Sequence, residues 1–246
     1  MLDEARSAHY TIWVVAFLLY VCDAAKLLSP RDLLLVEAGR GRLAPIFSGT
    51  PFTLAGRTLA FAPLLMPHRA VFVAPWGQAW ITASAVNAVL DSLARLRASL
   101  RAVRIVAGAG FVALFVVGPV LTLLLGPGAA VVFTAAVLYP TILIAIGVLW
   151  WRRRAFGLTV PQALGVSAEI LVCPAFLPNL VRKIAARHRL DGDAAQILSV
   201  AASPETREAF LATLESRTGE LIEEVSDDHA TQEQLRRYLA EVRAAR

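Results

Sequence analysis

Forty-seven consecutive residues, Ile105 to Trp151, carry no charged side chain. Few folds accommodate such a run. It is broken only near its middle, by Gly126-Pro127-Gly128, leaving 21 residues from Ile105 to Leu125 and 23 from Ala129 to Trp151. A helix rises ~1.5 Å per residue and the hydrocarbon core of a bilayer is ~30 Å thick, so each half is long enough to cross once. The expectation is an integral membrane protein with a tight transmembrane hairpin, 105–125 and 129–151, at its centre. Only 17% of the 246 residues are charged, against ~25% in ordinary soluble domains. The polar segments on either side of the hairpin are too short for a large enzyme core.

An earlier apolar stretch is strongest over Tyr10–Cys22 and carries Asp23 and Lys26 near its end. The leader Met1–Arg6 has a net charge of −1, whereas a signal peptide begins positively. Asp23 also stands where a small residue is needed before a cut after Ala25. Residues 9–28 are therefore expected to be a retained first transmembrane helix, behind a short outside N-terminus at 1–8. Asp23 and Lys26, three apart, would pair on one face. Tyr10 and Trp13 would anchor one interface.

The net charge of +5 is uneven: +9 over residues 1–202 and −4 over 203–246. Basic clusters sit beside apolar segments: Arg95, Arg97, Arg101 and Arg104; Arg152, Arg153 and Arg154; Arg182, Lys183, Arg187 and Arg189. That placement suits a bilayer with anionic headgroups, at roughly 1 kcal/mol per basic residue near the surface, and not nucleic acid. Lysine and arginine mark the cytoplasmic side. One precedes the first helix, nine lie between it and the hairpin, none is in the hairpin turn, and Arg152–Arg154 follow Trp150-Trp151. The charges predict three crossings of an inner membrane, multi-pass, with the N-terminus outside and the C-terminus cytoplasmic. Trp150, Trp151, Arg152, Arg153 and Arg154 would be interface anchors.

Residues 157–190 include an apolar stretch, Leu158–Val181, interrupted by Gln162, Glu169 and prolines at 161, 174 and 178. Both flanks are basic, so both ends belong on one side. A re-entrant or interfacial amphipathic segment is expected there. Leu177, Leu180, Val181 and Ile184 fall on one helical face and Arg182, Lys183, Arg187 and Arg189 on the other, as in a helix lying in the interface plane.

Residues 29–81 read as a small β-rich cytoplasmic domain, an antiparallel sheet of three to five strands between helices 1 and 2. Its candidate strands are Leu33–Glu37, Leu43–Phe47, Phe52–Ala55, Thr58–Phe61 and Ala70–Ala74. Gly56-Arg57 would form a type II′ turn between two of them. Leu64, Leu65, Met66, Phe72, Trp76 and Trp80 would pack the sheet on a bilayer or a partner. An amphipathic helix, 82–104, would run unbroken into helix 2. Its apolar stripe of Val86, Val89, Leu93, Leu96, Leu100 and Val103 has heptad spacing. It fits self-association, or docking within the chain. Residues 191–246 form a cytoplasmic helical tail. Ser203-Pro204 starts one helix, and Thr231 with Gln234 has capping-box spacing for the next.

Chemistry is harder to find. His9, His68, His188 and His229 lack metal-ligand spacing, and no HExxH, phosphate loop or GxSxG occurs. No metal and no cofactor are expected. Glu169 is the one carboxylate inside an apolar segment, which makes it a functional candidate by default. With His188, Arg182 and Lys183 it completes the polar candidates. Neither half of the hairpin has the charges an ion path needs. Function is expected to be non-enzymatic: an inner-membrane anchor or accessory protein acting through protein contacts on the cytoplasmic side. A membrane-protein partner or a second copy would be its partner. Two alternatives remain, a lipid-acting enzyme or transfer protein at the interface, using Glu169 and His188, and a subunit of an oligomeric channel or transporter.

Overall fold

A computed structural model describes residues 2–46, 53–188, 190–224 and 228–245. Phe47, Phe52, Arg189, Val225 and Asp227 lie outside these residues. The described chain is mainly helical with a small amount of antiparallel sheet. It divides into two units. The first holds residues 1–26, 61–71 and 95–188, and the second holds 27–60, 72–94 and 189–246.

The first unit is a helical bundle. Helix α1 (Leu2–Ala24) stops at Ala24, because the chain there turns into strand β1 (Ala25–Leu28). The expected continuation of the first helix to Leu28 is thus replaced by strand pairing. Helix α2 (Ala83–Ser99), which belongs to the second unit up to Ala94 and to the first from Arg95, leads into α3 (Arg101–Val112) with one loosened residue, Leu100. The ladder persists across it, through Leu100 N to Leu96 O and Arg104 N to Leu100 O. A π-helical turn, Ala113–Val117, then precedes α4 (Gly118–Leu125). That wide turn has a local cause. Pro119 has no N–H and its ring collides with the carbonyl four residues earlier, so the backbone opens just before it.

Gly126 closes the hairpin at φ 81°, a left-handed value that favours glycine. Helix α5 (Pro127–Trp151) returns against α4 and α3. Two helices, Arg101–Leu125 and Pro127–Trp151, are long and apolar enough to cross a membrane, each with mean hydropathy 2.3. The apolar part of α1, Tyr10–Ala24, is shorter.

Close packing in this unit depends on glycine. A Cβ on Gly118 would fall 2.3 Å from the Trp13 indole, and one on Gly110 would fall 2.6 Å from Leu177. Trp13 Nε1 donates to Thr122 Oγ1 at 2.8 Å. Phe17, Tyr20, Phe111 and Phe115 form an aromatic cluster beside it. After α5, Gly157 turns the chain at φ 62° into α6 (Val160–Val172). Thr159 and Gln162 cap α6 reciprocally, a capping box with Pro161 in the first turn. A 3₁₀ turn (Pro174–Asn179) and α7 (Leu180–Ala186) follow.

The second unit contains two three-stranded sheets rather than one. Their orders are β1-β5-β4 and β3-β2-β6, with β2 Asp32–Glu37, β3 Leu43–Ile46, β4 Thr53–Leu54, β5 Arg57–Phe61 and β6 Val71–Pro75. The register runs Leu34↔Ile46 to Glu37↔Leu43. Leu33, Leu34, Leu35 and Val36 are all buried, so this central strand is covered on both faces and shows no alternation. In the β4–β5 hairpin Leu54 pairs with Arg57, so the turn residues are Ala55-Gly56 rather than Gly56-Arg57. Both have positive φ, 51° and 72°, which is the type I′ pattern and not II′. Phe72 and Trp76, read as surface contacts, are buried, while Leu65 is 81% exposed.

Helices α8 (Ala194–Ala201), α9 (Pro204–Glu224) and α10 (His229–Ala245) complete this unit. Ser203 caps α9 as expected, accepting from Thr206 N. The cap of α10 is Asp228, not Thr231. Its carboxylate accepts from Ala230 N, Thr231 N and the Thr231 hydroxyl, three donors that a single threonine oxygen does not match. Hydrogen bonds to these donors hold the exposed carboxyl below the usual range.

Candidate functional site

The polar residues of the first unit converge where α1, α6 and α7 meet. Lys183 Nζ lies 2.7 Å from Asp23 Oδ1 and 2.5 Å from Glu169 Oε2. Asp23 is the next-to-last residue of α1, Glu169 stands one turn before the end of α6, and Lys183 is in the middle of α7. One ammonium therefore ties three helices. Its stem is covered, and the ammonium also faces the Phe176 ring at 4.6 Å.

Arg182, one residue earlier, is 2% exposed and makes a second set of ties. Its Nη1 donates to Asn179 Oδ1 at 2.7 Å and to the Tyr20 hydroxyl at 3.3 Å. Its Nη2 donates to the carbonyl of Pro63, and Tyr20 donates to the carbonyl of Leu64. Asn179 amide hydrogens reach Tyr20 O at 2.9 Å and Asp23 Oδ2 at 3.0 Å. Burying a guanidinium is costly unless its donors are used. Here Nη1 and Nη2 reach three different acceptors, while the buried Nε has no hydrogen-bond partner among the described residues.

The candidates expected from the sequence divide. Glu169, Arg182 and Lys183 come together in this cluster. His188 does not join it: the imidazole sits beside Gly157, where a Cβ would meet it at 3.2 Å. Arg187 Nη1 donates to Gln162 O at 3.1 Å, which fixes that end of α7 at the start of α6. Seven residues of helix, about 10 Å, separate Gln162 from Glu169. Asp23 was expected to pair with Lys26. Because α1 ends at Ala24, Lys26 leaves the helical face and Asp23 binds Lys183 instead.

Tyr20, Asn179 and the carbonyls of Pro63 and Leu64 escaped the sequence reading. The spacing of Asn179, Arg182 and Lys183, at i, i+3 and i+4 in an apolar segment, was the available signal. The stripe residues Val86, Leu93, Leu96, Leu100 and Val103 are buried within the chain, and Val89 is half-buried. Trp150 and Trp151 are exposed, with Arg153 and Arg152 guanidinium groups over their rings at 6.0 and 5.6 Å. Arg154 follows them in the turn before α6. Among the described residues no group of three His, Cys, Asp or Glu side chains is placed to hold a metal ion.

The second unit has its own polar centre. Asp193 is fully buried ahead of α8. It accepts from Ala195 N at 2.8 Å, Gln78 N at 3.1 Å and the Tyr238 hydroxyl at 3.0 Å. Burial raises its carboxyl above the ordinary range, and these hydrogen bonds oppose the rise. Burial, and then the Asp193 charge, raise the Tyr238 phenol too. Nearby, Gln196 brackets Ile81, accepting from its N–H at 2.8 Å and donating to its carbonyl at 3.0 Å. This centre stitches the 77–81 segment to α8 and α10. No known protein family, curated protein or solved structure matches the chain.

Proposed function

We infer that the chain is an integral inner-membrane protein that serves as a non-enzymatic anchor or accessory subunit, working through protein contacts on the cytoplasmic side. The observation that carries this reading is the use made of Glu169. A carboxylate inside an apolar segment is a candidate for catalysis or transport. Here it is bound to Lys183, which is bound in turn to Asp23, and its charge is committed to holding helices together. His188, held beside Gly157, forms no acid–base pair with it. A lipid enzyme needs those groups converging on one substrate atom.

In this reading α1, residues 105–125 and residues 129–151 cross the bilayer, with the N-terminus outside and the C-terminus cytoplasmic. Residues 157–190 enter from the cytoplasmic side and return. The Arg187–Gln162 bond between the two ends of that excursion supports it. Arg152, Arg153 and Arg154 meet anionic headgroups behind the exposed tryptophans. Burial of the Val86–Val103 stripe turns the reading toward a membrane-protein partner rather than pairing of two copies along that helix.

The test is made in native membranes. Photoreactive residues placed at Arg57 and Arg217 are expected to be reachable from the cytoplasmic face only, and to capture the same protein from both positions. Capture of phospholipid alone would remove the accessory role. Opposite sidedness of the two positions, or release of the chain without detergent, would remove the membrane arrangement.

A further inference from the structure

A cleft of about 430 Å³ runs along the outside of the bundle between α1, α5 and the start of the 3₁₀ turn. Its walls include Trp13, Ala16, Leu19, Thr134, Ala135 and Cys173, and none of its lining residues is charged. The volume is in the range of small-molecule sites.

Thr134 is unusual. Hydroxyls in apolar helices ordinarily bond back to the carbonyl four residues earlier. Thr122 does so to Gly118 O at 3.0 Å, Thr141 to Val137 O at 2.7 Å, and Ser167 to Ala163 O at 2.8 Å. Thr134 is 4% exposed, and its hydroxyl has no hydrogen-bond partner among the described residues. In hydrocarbon no water stands in, so such a group is costly to leave unmet. The wall opposite is rigid, because Trp13 is pinned by Thr122 and seated on Gly118.

We propose that the cleft is a binding site for one acyl chain of a bilayer glycerophospholipid, whose ester carbonyl accepts a hydrogen bond from Thr134. The inference rests on the membrane reading above, since only a cleft facing lipid has acyl chains at hand. Thr134 lies seven residues into α5 from the hairpin turn, about 10 Å. That depth puts the ester end of the lipid on the turn side, and the chain then runs along Leu19 toward Cys173. With no charge in the wall, recognition is of chain and ester, and headgroup charge does not matter.

Native mass spectrometry of the full chain purified in detergent reads the bound lipid. The probes are dioleoyl phosphatidylcholine and its ether-linked analogue, which lacks the ester carbonyl. Wild-type protein is expected to carry one lipid per chain and to prefer the ester form about tenfold, the worth of one hydrogen bond. Thr134→Val is expected to bind both forms equally, at the level of the ether lipid. Ala135→Phe, which fills the cleft, should bind neither. Equal binding of ester and ether lipid by the wild type overturns the proposal. So does undiminished binding by Ala135→Phe, or a dimer mass in place of the lipid adduct. Carbonate extraction separates the two levels: a chain that stays in the membrane yet binds no lipid refutes only the cleft, whereas a chain that is extracted refutes the membrane reading.

Discussion

In the helical bundle Lys183 is met by two carboxylates, at 2.7 and 2.5 Å. In the sheet-bearing unit Asp193 is met by neutral donors, two backbone N–H groups and a tyrosine hydroxyl. Both centres tie together elements far apart in sequence, and they do so under different constraints. The lysine cluster compensates charge with charge, so its stability depends on keeping every member. The aspartate hub leaves its charge uncompensated, and its stability follows the proton.

Removing one member of the bundle's cluster should therefore give the larger effect. Lys183→Met leaves the largely covered Asp23 without its ion-pair partner and Asn179 as its main remaining donor. Breaking a buried pair from one side costs about 3–5 kcal/mol, and the half-exposed Glu169 moves the expectation to the lower end of that range. Unfolding by an ionic detergent from mild micelles measures it. Adding Asp23→Asn to Lys183→Met should recover a large part of the loss. An additive double mutant would mean that the two side chains do not interact, and the contrast with Asp193 would collapse.

The hub should respond next. Asp193→Ala strips the acceptor from three donors, and about 2–3 kcal/mol is expected from donors left unmet. Its pH dependence sharpens the contrast. Burial raises the folded-state pKa of Asp193 above an unfolded value of ~3.9. The folded chain then holds the proton more tightly than the unfolded chain. Its contribution to stability is greatest below pH ~3.9 and declines as pH rises through the raised folded value. Asp193→Asn removes the titration. The stability of wild type relative to Asp193→Asn should accordingly fall with increasing pH across that window and level off above it. A difference that stays flat from pH 3 to 7 would show that the hydrogen bonds from Gln78, Ala195 and Tyr238 fully offset the burial.

How much of this could be read from the sequence follows from range. The charge-free run and Gly126-Pro127-Gly128 dictate the α4–α5 hairpin locally, because helix length and a left-handed glycine need no distant partner. The Ser203 cap is local in the same sense. The cluster is not. Asp23 and Asn179 are 156 residues apart, and no periodicity announces that meeting. Lys26 looked like the partner of Asp23 only while the first helix was allowed to continue. Strand pairing of residues 25–28 ended that helix, and strand pairing is a tertiary event. The type of the β4–β5 turn was missed for a smaller reason: Ala55, with a Cβ, accepted the left-handed conformation that the sequence reading reserved for glycine.

The smallest expected effect comes from an ion pair that resembles the bundle's in distance alone. Arg237 Nε lies 3.1 Å from Glu233 Oε1 on α10, one turn apart, with both side chains more than half exposed. Water screens such a pair, and two long side chains lose rotamer freedom to hold it, so Arg237→Ala should cost less than about 0.5 kcal/mol. The same ionic-detergent titration used for Lys183→Met provides the comparison. The midpoint for Arg237→Ala should stay within error of the wild type and should not move with salt beyond the wild-type trend. A loss near that of Lys183→Met would mean that separation alone sets the strength of these contacts. The distinction drawn between covered and solvated charge in this protein would then have no basis.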